Sequence, residues 1–384
     1  MRSDLPPSSA PRSKLSSGAR SAPAAQGKAH LAPADGDIDP RVGVAIGGRA
    51  LIRTEPRVLE TPASALCEAV TPLADHFIRD HFPEPSLGAH HRVSIGGAVA
   101  RPLELSVAAL KQLPQHSVAF TFECAGNNRT AMVPLPSGAP WNDGGVSTAI
   151  YRGVRLCDLL TRSGVGPDAL EVAVIGADKG SVSGKEGEVP FARAIPLDLA
   201  LHPDVLLALE MNGEPLPPEH GGPIRLVVPG RYGVDNIKWV DRIQVRTSAF
   251  EGHFQKDDYV IRKGDAEEPI GAMRVKSLVS GPRGAGIGSG ANLATGWAWS
   301  GEGTVEAVEV SIDAGPWQRA RLEQGLGPNA WVNWQLDLPA LAPGRHVIAS
   351  RAEDSTGNAQ PVRAEWNELG YVNNAIVATT FDVE

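Results

Sequence analysis

The sequence predicts a β-rich fold with few, short helices that closes in a C-terminal β-sandwich. Three observations carry this. The 384 residues include 42 Gly and 32 Pro, about a fifth of the chain where about 12% is usual, which favours turns and short strands over long helices. Residues 118–123 alternate Val118, Phe120 and Phe122 against Ala119, Thr121 and Glu123, the period of a strand with one buried face. From about Ala266 the runs VEAVEVSID, WVNWQLDL and RHVIASRAED alternate between Gly, Pro and Asn turns, as in a sandwich of roughly 110 residues.

Taken in order, residues 1–40 contain no Phe, Trp or Tyr and are rich in Ser, Ala, Pro and Gly. They bury too little apolar surface to offset chain entropy and are predicted to be a disordered tail. A domain boundary is expected where the composition shifts, dividing residues 41–265 from the sandwich of residues 266–384. In LSVAALKQLP, Ser106 is a candidate N-cap, Val107, Leu110 and Leu113 have helical spacing, and Pro114 is a stop. GVRLCDLLTRSG carries Leu156, Leu159 and Leu160 at helical spacing and ends on Gly164, suited to a left-handed cap, so Cys157 is expected in the core. LLALEMNGEPL places Asn212-Gly213 between two short runs, a hairpin signal.

Composition excludes some functions. With 36 Lys and Arg against 44 Asp and Glu the net charge is −8, which argues against a general nucleic-acid or anionic-membrane binder. No run reaches the ~18 apolar residues of a membrane span, and the first residues lack the apolar stretch of a leader, so a cytoplasmic protein without a membrane partner is expected. The three cysteines, Cys67, Cys124 and Cys157, form no C-x-x-C pair and suggest neither a disulfide framework nor a zinc site. Walker, H-E-x-x-H, G-x-S-x-G and EF-hand patterns are absent.

Two segments remain as candidate chemistry. In FECAGNNR, Cys124 stands at a strand end, ahead of Gly126, Asn127 and Arg129, either as a small buried hydrophobe or as a thiolate facing a cation. His220 to Arg225 and the loop from Gly230 to Lys238 concentrate backbone amides and cations, either as a phosphate cradle or as solvated turns. GAGIGSG at 284–290 is expected to be a linker or turn, because no helix pattern follows it.

From about Thr71 onward the chain resembles the sulfite oxidase family of molybdenum enzymes, which includes the molybdenum domain of plant nitrate reductase. FIRDHFPEP is similar to the family's F-x-R-N-H segment, ECAGNNR to its metal-binding cysteine loop, and WNDGGVSTA to the segment that follows. The longest agreement is EMNGEPLPPEHGGPIRLVVPGRYGVDNIKWVDRI, and Trp297–Trp299 and WNELGYVNNAI resemble the C-terminal domain. The resemblance implies an α+β catalytic domain with mostly antiparallel sheets, then an immunoglobulin-like sandwich that pairs two chains as a homodimer. It implies molybdenum held by one molybdopterin dithiolene and the thiolate of Cys124. Arg79, His81, His220, Arg225 and Lys238 would hold the pterin and its phosphate, with Asn236 and Ile237 giving backbone groups. Arg92, Arg129, Trp141 and Tyr259 would line an oxyanion pocket.

The implied reaction is oxygen-atom transfer, with sulfite or a related small oxyanion as substrate. No haem domain is recognised in this chain, so electrons would pass to an external acceptor: a cytochrome, a quinone-linked partner or oxygen. Three departures bear on substrate. Asn128 replaces a second arginine of animal sulfite oxidases, Phe254 a tryptophan, and Leu369 a pocket arginine. The alternatives are reduction of a sulfoxide or nitrate on the same scaffold, or a metal-free thiol hydrolase or binding protein using Cys124 with His220 or His253.

Overall fold

Three sheets and a short hairpin build the N-terminal part of the structure, a computed structural model that describes residues 45–46, 48–88, 90–263, 266–287 and 293–384. The tail expected at residues 1–40 and the end of the glycine-rich run, residues 288–290, lie outside the described residues. The first sheet is an antiparallel meander of Ala45–Ile46, Arg49–Arg53, Val58–Glu60 and Ile78–Arg79. In the second, Glu188–Pro196, Glu171–Ser181, Val240–Arg246, Arg92–Gly97 and Leu103–Ser106 lie side by side. Only Val240–Arg246 and Arg92–Gly97 run parallel there. The third sheet orders Glu214–Pro215, Leu206–Met211, Val146–Arg155 and His116–Glu123, with Arg225–Val227 joining Leu206–Met211.

Local sequence explains several of these elements. Ser106 caps helix Val107–Lys111, its hydroxyl accepting from the Ala109 N–H at 3.1 Å. Helix Leu156–Ser163 ends on Gly164, whose φ of 68° is left-handed. Asn212 and Gly213, with φ of 53° and 83°, turn the chain between Leu206–Met211 and Glu214–Pro215. Cys157 is a correction: it lies on the flank of its helix, half-buried, while Leu156, Leu159 and Leu160 face the core.

The C-terminal part is a β-sandwich. One sheet orders Lys276–Gly281, Leu293–Trp299, Val332–Asp337 and Arg321–Leu322, and the other Gly284–Ile287, Ala378–Val383, Gly344–Asp354, Val305–Ile312 and Gln318–Arg319. Gly284–Ile287, expected as a linker or turn, is a strand pairing in parallel with the last one. The sandwich has its own core around Trp334 and Phe381, whereas Trp297, Trp299 and Trp331 pack into the core of the N-terminal part. Hairpin Val260–Lys263 and Ala266–Pro269 spans the expected boundary at residue 265. Among the described residues no helix is long and apolar enough to cross a membrane.

Candidate active site

Strand His116–Glu123 buries Phe120 and Phe122 and delivers Cys124 to the edge of a cavity. The Cys124 N–H donates to the Gly145 carbonyl at 2.8 Å, and its own carbonyl accepts from the Asn127 N–H at 2.9 Å. Asn127 fixes the turn, donating to Glu123 at 3.1 Å and accepting from the Gly145 N–H at 3.0 Å. A Cβ at Gly126 would stand 2.6 Å from the Arg129 guanidinium, so a larger residue there would have to displace that side chain. Burial pushes the Cys124 thiol above its ordinary pKa, while a backbone hydrogen bond from Gly126 and the charges of Arg79 and Arg129 pull it back. Such a sulfur stays a thiol until a cation binds it.

The cavity encloses about 50 Å³ and runs from Cys124 to a cluster of cations. Among the expected residues it brings together Arg79, His81, Cys124, His220, Arg225, Asn236, Lys238 and Tyr259. Beside the thiol, His81 Nε2 shares a 2.7 Å hydrogen bond with the Tyr259 hydroxyl. The His81 ring stacks on Phe191 with centroids 4.5 Å apart. Burial, then the charges of Arg79 and Lys238, drives His81 well below its ordinary pKa, so it is neutral. Burial likewise raises the Tyr259 hydroxyl, which keeps its proton. Arg79 lines the cavity, and Tyr259 and Cys124 are the leading charges acting on it. That places Arg79 on the thiol side of the cavity, among the residues expected to hold the pterin and its phosphate.

At the far end, Lys238 pairs with buried Asp80 and donates to the Glu219 carbonyl at 3.1 Å. Arg57 Nε holds the same carboxylate at 3.1 Å. Asp80 stands where the F-x-R-N-H pattern has asparagine, a departure the sequence comparison did not weigh. Arg225 lies over the Phe122 ring at 4.5 Å and donates one N–H to the His220 carbonyl at 2.8 Å. Its Nε is buried without a partner, as is His76 Nε2. Asn236 spends its side chain on the loop, accepting from the Val228 N–H at 2.6 Å and donating to the Tyr232 carbonyl at 3.0 Å. Asp235 anchors that loop through Arg193 and Arg231, each at 2.8 Å. Arg231 spends its Nε on that anchor.

Four expected residues lie elsewhere. Arg92 is a correction: it is exposed and paired with Glu104 on a neighbouring strand. Trp141 is buried behind the cavity, its ring edge-on to Phe77 at 5.8 Å. Ile237 is buried, and its carbonyl is taken by the Leu226 N–H at 2.8 Å. Arg129 adjoins the cavity without lining it, donating to the carbonyls of Leu369 at 2.9 Å and Ala139 at 2.5 Å. Leu369 packs partly buried against the main core.

Sequence reasoning also missed a latch behind the thiol. Glu123 is almost fully buried and accepts from Lys276 at 2.6 Å and from Trp299 at 3.0 Å, both on the sandwich. Lys276 also donates to the Asn373 carbonyl at 2.8 Å, and the Val372 N–H reaches the Ala125 carbonyl at 2.7 Å. The sandwich thus grips the cysteine loop from behind. The alternation put Glu123 on the face opposite Phe120 and Phe122, expected to be open, whereas the structure buries both faces at this strand end.

Residues 81–254 match the oxidoreductase molybdopterin binding domain, and residues 268–381 the Mo-co oxidoreductase dimerisation domain. The chain is 35% identical to sulfite oxidase of Gallus gallus over 371 residues, covering 89% of this chain and 79% of that protein. It belongs to the sulfite oxidase family. Mitochondrial sulfite oxidase of Mus musculus is 36% identical over 347 residues, which span 82% of this chain and 62% of that protein. The sulfane dehydrogenase SoxCD of Paracoccus pantotrophus has the same fold, with a TM-score of 0.73, 30% identity, and coverage of 85% of this chain and 87% of that one.

The residues present fit the family's molybdopterin. One end of the cavity offers a soft sulfur ligand. The other offers Lys238 and Arg225, the latter with an unused buried donor suited to a phosphate oxygen.

Proposed function

We propose that this chain is a molybdenum-dependent oxidoreductase that oxidises sulfite to sulfate and passes the electrons to a separate acceptor. The observation that carries the reading is the buried thiol of Cys124 flanked by Arg79 and by the Tyr259–His81 pair, in a cavity whose opposite end is cationic. Bound there, molybdenum–molybdopterin supplies two-electron oxygen-atom exchange. The chain supplies the rest. Cys124 gives the thiolate ligand, and Lys238 and Arg225 neutralise the phosphate. Arg79 draws the anion toward the thiol side by charge-assisted hydrogen bonding. Tyr259, kept protonated, donates to the anion or to neutral His81, and Phe191 and Phe254 wall out water around that pair.

The test compares sulfite-dependent reduction of an artificial dye with oxidation of a reduced dye by nitrate or a sulfoxide. Turnover with sulfite supports the reading. Turnover only in the second assay would replace it with the reductase alternative.

Lys238→Met removes a charge-assisted contact to the phosphate, a contact type with a net contribution of roughly 1.5–3 kcal/mol. Molybdopterin retained per chain, measured as the oxidised fluorescent pterin after gel filtration, should fall at least tenfold relative to the parent protein. The sandwich pairs two copies, since its residues match a dimerisation domain. Gel filtration at micromolar concentration should show twice the chain mass, and a monomer would contradict the pairing.

A further inference from the structure

We propose that Arg53 is a specificity-determining cation of the anion pocket, supplying the positive charge that Leu369 leaves out. The inference rests on the sulfite reading above and deepens it. Its basis is sheet register. Arg53 pairs with Val58, and Val58 pairs with Arg79, so the three residues form one cross-strand row of the antiparallel meander. Directly paired residues point to the same face of a sheet, which puts Arg53 on the face that carries Arg79 toward Cys124. Two strand spacings, about 9.5 Å, separate their backbones, a gap that two arginine side chains can bridge around a shared anion. Between them Val58 is fully buried, so the row runs under protein and not along open water. The register shifts between Leu51 and Arg53, an irregularity of the kind that re-aims a side chain.

The state of the guanidinium agrees. Arg53 is half-buried, and its Nε is shielded from solvent without a hydrogen-bond partner. Burial first, then the charges of Arg79 and Arg129, bring its pKa down to about 10, with Tyr259 acting the other way. Asp258, the carboxylate that acts on Arg79 and Tyr259, is engaged by the Tyr371 hydroxyl and the Tyr259 N–H. Arg79 and Arg129 both oppose the charge on Arg53, a repulsion that an anion among them would relieve. A doubly charged oxyanion answers that field better than a neutral sulfoxide.

The test uses the molybdenum-loaded full chain and its Arg53→Met and Arg53→Lys variants at one ionic strength. Molybdenum per chain is measured first, and sulfate affinity of the oxidised protein is then read by calorimetry beside sulfite steady-state kinetics. Loss of one charge-assisted contact should weaken sulfate binding and raise the sulfite KM about tenfold or more in Arg53→Met, with the loss concentrated in KM and not kcat. Arg53→Lys should recover part of both. Unchanged sulfate affinity in Arg53→Met at full molybdenum content would overturn the proposal, and so would a fall in kcat with KM unaltered. If the parent protein carries molybdenum but does not turn over sulfite, the substrate reading fails by itself. Sulfate and nitrate affinities of the parent and Arg53→Met proteins then decide whether Arg53 holds an anion.

Discussion

Cys124→Ser loses sulfite turnover down to the background rate while the chain stays folded. The substitution keeps size and the hydrogen bond from the Gly126 backbone, so its cost to stability is about 1 kcal/mol. What it removes is the soft, ionisable sulfur. A serine hydroxyl ionises far above neutral pH and is a poor partner for a sulfur-rich metal centre. The cations at the other end of the cavity are untouched, so the pterin still binds through Lys238 and Arg225. Dye reduction by sulfite, with the pterin assayed on the same sample, separates the two effects. Retained turnover would sink the thiolate assignment. Loss of activity on alkylation of Cys124 in metal-free protein would point to the thiol hydrolase alternative.

Lys276→Met should destabilise the fold by about 3–5 kcal/mol, the usual result of breaking a buried ion pair by removing one partner. Glu123 and Lys276 have side-chain exposures of 2% and 3%, so water cannot replace the lost partner. The stranded carboxylate would sit one residue from Cys124, where its charge opposes thiolate formation. Urea unfolding of the holoprotein measures the first effect. Molybdenum retained per chain measures the second, which should also fall. Combining Lys276→Met with Glu123→Gln should recover part of the lost stability, because the double variant carries no unpaired charge and keeps one of the two acceptor oxygens that Asn127 and Trp299 use. Additive losses would mean that the latch acts by packing and not by charge.

Much of the local structure was legible because the signals are local. The cap at Ser106, the turn at Asn212-Gly213 and the glycine end of helix Leu156–Ser163 each depend on neighbours within a few residues. The strand that ends at Cys124 could be read from its own alternation. The site was only partly legible, because a motif fixes the order of residues and not the face on which each one lies. Arg92 shows the limit. It starts strand Arg92–Gly97, in which Val93 and Ile95 are buried, so the same alternation turns Arg92 outward toward Glu104. Attention to that period would have excluded it. Arg53 could not have been found in this way, since its place beside Arg79 depends on two strand pairings and a register shift. The grip of Lys276 on Glu123 joins residues 153 positions apart, and no spacing rule reaches that far.

The central claim is that Cys124 and the cationic end of one cavity hold a molybdenum cofactor. Molybdenum per chain, quantified by plasma mass spectrometry on protein purified from a host that makes molybdopterin, tests it most directly. A near-stoichiometric content, with the metal reduced at least tenfold in Lys238→Met prepared in parallel, is the expected result. A parent protein free of molybdenum, from a host in which a known molybdoenzyme loads normally, would contradict the claim and leave Cys124 to be explained as a buried thiol.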